Sequence, residues 1–229
     1  MRYTILIFRF SFTCIILLTS CNGGGSKDAV LSQGASSYKE VTIGKQIWMS
    51  ENLDVDNFRN GDLIFHAQTT NEWIKAGETG QSAWCYFDND LDNGIRYGKL
   101  YNWYAVNDPR GLAPDGWKVP SNEDWSLLID FIGGESIAGK KMKFTDFWAD
   151  DIDSVSGNGT NESDFRALPG GERCFNGKFI SKGSVGVWWS SSSKSETFAW
   201  KVVMFNFKAN VTRSFEDKVS GYSVRCVKM

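Results

Sequence analysis

Three aspartates stand at alternate positions in Asp88-Asn89-Asp90-Leu91-Asp92-Asn93-Gly94. That spacing lets carboxylate oxygens gather round a hard divalent cation such as calcium. The helix-loop-helix calcium pattern would want Gly at position 93 and Glu at position 99, but Asn93 and Lys99 stand there, so this is not that motif. Asp88, Asp90 and Asp92 are the candidate calcium ligands, and an exposed acidic turn is the plainer alternative. Trp188-Trp189 is the second pair of interest, because an indole plate can lie on the C–H face of a sugar ring. On a strand the two would point to opposite faces, one toward the core and one outward. Packing of both in the core is the alternative reading.

Catalytic chemistry finds little to stand on. His66 is the one histidine of the 229 residues, and no serine or cysteine next to it marks a triad, which makes it an ordinary surface or loop residue. Glycoside hydrolysis by two carboxylates needs no fixed spacing, and nothing in the sequence points to such a pair. Cys85, Cys174 and Cys226 are an odd set, so a disulfide among them leaves one thiol over; three buried thiols are the other reading.

The N-terminus speaks to location. Arg2 and Arg9 form a positive region, followed by an apolar run through Ile15, Ile16, Leu17 and Leu18 that is too short to span a bilayer. Leu18-Thr19-Ser20-Cys21 resembles the lipobox of bacterial lipoproteins, whose cysteine carries the lipid and becomes the new N-terminus. Residues 1–20 are thus expected to be a signal peptide and Cys21 the lipidated residue, holding the chain to a membrane; a plain secretory signal is the alternative. Residues 21–37, opening Asn22-Gly23-Gly24-Gly25, read as a flexible tether. The tether lacks acidic residues just after the cysteine, so the expectation is an outer-membrane location in the cell envelope with the membrane face left open. Loss of residues 1–20 removes two arginines and no acid, taking the formal charge from −2 to −4. That mild acidity argues against nucleic acid as a partner.

Residues 38–229 then form one domain, with no linker, charge block or repeat dividing them. Ten tryptophans and 23 glycines suggest aromatics filling the space between short strands. Val41–Ile43 and Gln46–Met49 flank Gly44-Lys45 as a hairpin, and Cys174-Phe175 and Lys178–Ile180 flank Asn176-Gly177 as another. Phe198–Phe205, Val211–Phe215 and Tyr222–Lys228 are further strands, the last alternating Tyr222, Val224 and Cys226 against Ser223, Arg225 and Val227. Ser121 and Asp124 nearly make a capping box before the apolar stripe Trp125, Leu128, Ile129 and Ile132, and a second helix is expected over Lys99–Val106. Ser190–Ser193 reads as a polar loop. The fold class is α+β, with irregular antiparallel sheets, two short helices and long loops.

Several segments occur in an order that resembles a known family: Glu51-Asn52-Leu53, Trp84 to Asp90, Tyr97 to Val106, Pro114 to Ser121, Ala167 to Gly171, Trp188 to Ser191 and Val224 to Val227. Together they are similar to the Fibrobacter succinogenes major paralogous domain, over about Val41 to the C-terminus. The resemblance implies a C-type lectin-like fold, also seen in formylglycine-generating enzymes, and brings no established activity. A cysteine often found before the Pro-x-Gly-Trp segment is Ala113 in this chain, so any bridge relying on it is absent. Asp153-Ser154-Val155 is similar to an acceptor for O-glycans in Bacteroides-like secreted proteins, making Ser154 a candidate for glycosylation. The expected function is a non-catalytic binding or adhesion module for a glycan or protein. A surface enzyme and a structural envelope component are the alternatives.

Overall fold

A computed structural model describes residues 38–229; the expected signal peptide, Cys21 and tether lie outside the described residues. The chain opens on the hairpin β1 (Glu40–Ile43) and β2 (Gln46–Met49), paired from Glu40↔Met49 to Ile43↔Gln46. Gly44 sits in its two-residue turn at φ +63°, a conformation that favours a residue without Cβ. Then follow β3 (Phe65–His66), α1 (Thr70–Thr79), β4 (Ala83–Cys85), a 3-10 turn at Phe87–Asn89, α2 (Leu91–Tyr97), β5 (Leu100–Tyr101), α3 (Trp103–Val106), β6 (Trp117–Lys118), α4 (Asn122–Ile132) and α5 (Glu135–Met142). After a long irregular stretch come β7 (Glu172–Arg173), β8 (Phe179–Ile180), β9 (Val185–Ser193), β10 (Phe198–Phe205), β11 (Val211–Asp217) and β12 (Val227–Lys228).

The strands form four small sheets, in the orders β1-β2-β12-β6, β11-β10-β9, β3-β4-β5 and β7-β8. Pairing is antiparallel throughout these sheets except for β3 on β4. The arrangement is α+β, as the short strands imply, but with five α-helices among the described residues rather than two. The missed α1 carries a complete capping box between Thr69 and Glu72 and ends on a left-handed Gly80. The expected helix over Lys99–Val106 divides: Leu100 and Tyr101 pair as a strand, Asn102 caps the Ala105 N–H, and only Trp103–Val106 coil. The second hairpin forms with Arg173↔Phe179 in register, while Cys174 N–H donates to the Lys178 carbonyl at 2.8 Å.

Two further expectations are corrected by packing. Ser190–Ser193 continues β9 instead of looping out, and the Ser190 carbonyl accepts from Trp103 Nε1 at 2.9 Å. In Tyr222–Lys228 only Val227–Lys228 is a strand, with single bridges at Tyr222 and Ser223. Residues 222–227 are buried on both sides, because this segment threads between the sheets rather than lying on one of them.

The core is built round tryptophans. One cluster holds Trp84, Trp103, Trp117 and Trp189 with Tyr101 and Tyr222; another holds Trp48, Trp125, Trp148 and Trp188 with Phe165. Cations are also sealed inside, and carbonyls hold them. Arg173 donates to the carbonyls of Ala67 (2.8 Å), Thr69 (2.9 Å) and Gly177 (3.3 Å). Lys143 Nζ meets those of Phe205, Asn206 and Lys208 at 3.0–3.1 Å, and Lys218 Nζ those of Ser195 and Glu196. Such hydrogen bonds replace the water that a buried charge loses.

Candidate functional site

β3 and β4 place His66 and Trp84 side by side in register. The imidazole stacks on the indole at 3.8 Å between centroids with a 5° tilt. Lys99 Nζ lies 4.4 Å from the same indole and ion-pairs with Asp54 at 2.6 Å. Two groups this close to one ring cannot share a face, so both faces of Trp84 are taken. Its Nε1 donates to the Ile64 carbonyl at 3.2 Å. Burial, and after it the Lys99 ammonium, lower the His66 pKa from its ordinary value, which keeps the ring neutral at pH 7. Gln68 Nε2 sits 3.2 Å from Nδ1, and Nε2 is sealed without a hydrogen-bond partner among the described residues.

This stack lines a cavity of about 590 Å³. Its other walls are the loop before β3, with Asp56, Phe58, Leu63 and Ile64, the residues Gln81 and Ser82 leading into β4, and Arg110. The loop is closed by a bridge between Asn57 and Leu63 and is tied down by Arg59, which donates to the Ala113 carbonyl through Nε and Nη2 at 3.1 and 2.8 Å. Arg110 pairs with Asp108 and with Asp62, and its guanidinium lies over Phe58 at 4.1 Å. Ser82 Oγ donates to Asp108 at 2.7 Å. The hydrogen bonds from Arg110 and then from Ser82 hold the Asp108 carboxyl down at about 2. Aromatic, acidic, amide and hydroxyl groups thus converge on one concavity, the usual composition of a small-ligand site.

The residues singled out from the sequence lie elsewhere. Asp88, Asp90 and Asp92 are exposed, but they are not drawn round a common point. Asp88 belongs to the 3-10 turn, while Asp90 is the N-cap of α2 and accepts from the Asp92 N–H at 2.9 Å. Once Leu91 onward is helical, residues two apart turn away from each other. Among the described residues no group of three or more His, Cys, Asp or Glu is placed to hold a metal ion, and the calcium reading of the three aspartates is corrected accordingly.

Trp188 and Trp189 are each 0% exposed, and the expectation of a sugar-stacking plate there is corrected. They do point to opposite faces of β9, but each face is covered, Trp188 by one core cluster and Trp189 by the other. Trp188 Nε1 donates to Asn52 and Trp189 Nε1 to the Tyr101 carbonyl. Ser154 is exposed, at φ +60°, in a turn that the Asp151 carboxylate organises through the N–H groups of Asp153 and Val155. Cys85, Cys174 and Cys226 are all free thiols. Burial pushes Cys85 up to about 11 and Cys226 to about 12, so neither is a ready nucleophile. His66 and Trp84 were hidden from sequence reasoning because a stack between parallel strands leaves no local spacing signal.

The fold and the groove together define a small mixed α+β domain with an aromatic-lined concavity built from loops on a tryptophan core. The chain belongs to the Fibrobacter succinogenes major domain family, whose model matches residues 41–228. No curated protein and no solved structure matches the chain.

Proposed function

We propose that this chain is a lipid-anchored protein of the bacterial cell envelope, held through Cys21 at the outer membrane, whose domain is a non-catalytic binding module of C-type lectin-like fold. The observation that carries the reading is the groove at His66 and Trp84, which combines ring surface with hydrogen-bonding groups. Ser82, the hydroxyl in that groove, is committed to Asp108 and not to His66, so the groove offers contact chemistry rather than a nucleophile and base. A glycan suits such a lining. Screening the full chain against glycans and matrix proteins tests the reading: loss of a captured ligand on His66→Ala supports it, and unchanged capture removes the groove from the account.

The anchor has its own test. Metabolic labelling with a fatty acid should mark the wild type and not Cys21→Ser, and an unlabelled wild type would leave a plain secretory signal. Ser154 is the residue proposed to carry an O-glycan, and an intact mass from the native host without added hexose would end that assignment.

One arrangement favours the enzymatic alternative. Burial raises the pKa of Glu172, and the neighbouring Lys201 and Tyr222 lower it, while Lys201 Nζ lies 3.0 Å from the Tyr222 hydroxyl and 3.3 Å from Glu216. Two carboxyls in unlike environments are what acid-base hydrolysis uses. Glycosidase assays with Glu172→Gln and Glu216→Gln decide it, since activity abolished by either substitution would replace the binding reading.

A further inference from the structure

The charge of the guanidinium that lines the groove is already balanced. Arg110 Nε and Nη2 donate to the two oxygens of Asp108 at 2.9 and 2.8 Å, Nη1 donates to Asp62 at 3.2 Å, and one face lies on Phe58. Three of its five N–H groups are thus taken, and two carboxylates already balance its single positive charge, leaving no net cation to draw a third anion. Lys99 lies against Trp84 with its side chain 5% exposed and bound to Asp54, and Arg59 on the groove loop is paired with Asp115 and the Ala113 carbonyl. Asp56, by contrast, lines the groove exposed: its backbone carbonyl accepts from the Ile64 N–H at 2.9 Å, but its carboxylate has no hydrogen-bond or ion-pair partner among the described residues. Against Arg110 the groove and its edge therefore set three carboxylates, those of Asp56, Asp62 and Asp108. The ring available to a ligand is also fixed by the stack: both faces of Trp84 are covered, so the plate is the side of His66 turned away from the indole.

Resting on the reading of this groove as the ligand site, we infer that it takes an uncharged sugar ring and turns away anionic saccharides. The C–H face of the ring lies on His66, and a pair of its hydroxyls donates to the Asp56 carboxylate. A uronate in the same place would meet Asp56 with no cation free to offset it, which is rejection by an unpaired like charge. The plate works as a neutral imidazole. Protonation in acid would place a cation beside Lys99 and Arg173, with Glu72 the facing carboxylate, and would remove the Gln68 hydrogen bond to Nδ1.

The test uses the full chain in detergent and calorimetric titration with cello-, laminari- and manno-hexaoses beside oligogalacturonate and oligomannuronate. A neutral hexaose should bind at least about tenfold tighter than either uronate, and His66→Ala should weaken it by about tenfold. His66→Phe keeps a plate of similar size and should retain binding while abolishing any fall in affinity between pH 7 and pH 5. Asp56→Asn should narrow the gap between neutral and anionic sugars. Melting temperatures of the three variants show that each is folded. Uronate binding as tight as hexaose, or hexaose binding that His66→Ala leaves unchanged, overturns the inference. Binding of no sugar in the panel overturns the glycan reading of the groove together with it.

Discussion

Arg225 and Asn52, 173 positions apart in the chain, meet in the core, where Asn52 Oδ1 accepts from Arg225 Nε at 3.1 Å and Nη2 at 2.7 Å. Trp188 Nε1 donates to the same oxygen at 2.9 Å, and Asn52 Nδ2 donates to the Tyr97 carbonyl at 2.8 Å. Four of the segments that carry the family resemblance thus converge on one amide. Burial pushes the guanidinium of Arg225 down to about 9, still charged at neutral pH, and the Met49 and Phe165 carbonyls complete its shell. Asn52→Leu strands that cation, and should cost about 3 kcal/mol or more in urea unfolding. Asn52→Asp keeps an acceptor in place and should cost less. Equal losses would show that the cavity matters and the acceptor does not.

Acid should loosen the loop that carries Arg110. The Asp108 carboxyl is lowered in the folded chain, from an ordinary 3.8 to about 2, so it contributes stability above pH 4 that is lost as the pH falls toward 2. The contribution is about 2 kcal/mol, with the side chain only 10% exposed. In Asp108→Asn the unfolding free energy should fall less steeply between pH 4 and pH 2 than in the wild type. Parallel profiles would show that the pairing with Arg110 gives no net stabilisation.

Asp90 should act as a helix cap. Asp90→Ala removes the acceptor for the Asp92 N–H and is expected to cost about 1 kcal/mol, with or without calcium. The melting temperature should be the same in EDTA and in millimolar calcium. A rise with calcium that Asp90→Ala abolishes would restore the cation reading of this turn.

Of the thiols at 85, 174 and 226, only Cys174 is partly exposed. A thiol reagent at pH 8 should label Cys174 slowly, because burial and then the neighbouring Glu172 and Glu216 raise its pKa, and should reach Cys85 and Cys226 only after denaturation. Labelling of Cys226 in the folded protein would mean that the C-terminal segment opens readily.

The elements that sequence reasoning found are those whose signals are local. The first hairpin needed only Gly44 between apolar runs, and α4 needed Ser121, Asp124 and the stripe from Trp125 to Ile132, all of which the structure bears out. β10 matches Phe198–Phe205 residue for residue. Helix α1 had a legible cap at Thr69 and Glu72, but it buries only Trp73, Ala76 and Gly77, too few for an apolar stripe to stand out. Leu100, Trp103 and Tyr104 fell at helical spacing although Asn102 divides strand from helix between them. The groove was illegible for another reason: Asp56, His66, Trp84 and Arg110 belong to separate segments, and each taken singly is unremarkable.

The carbonyls round Arg173, Lys143 and Lys218 place few demands on the residues that supply them. Every amino acid brings the same backbone oxygen, so the exposed Glu196 and Lys208 could change identity while Lys218 and Lys143 kept those partners. A carboxylate partner would have tied each loop to aspartate or glutamate. Held this way, surface loops can drift in sequence and diversify between copies of the domain without surrendering the path of the chain, and only the lysine or arginine at the centre must stay.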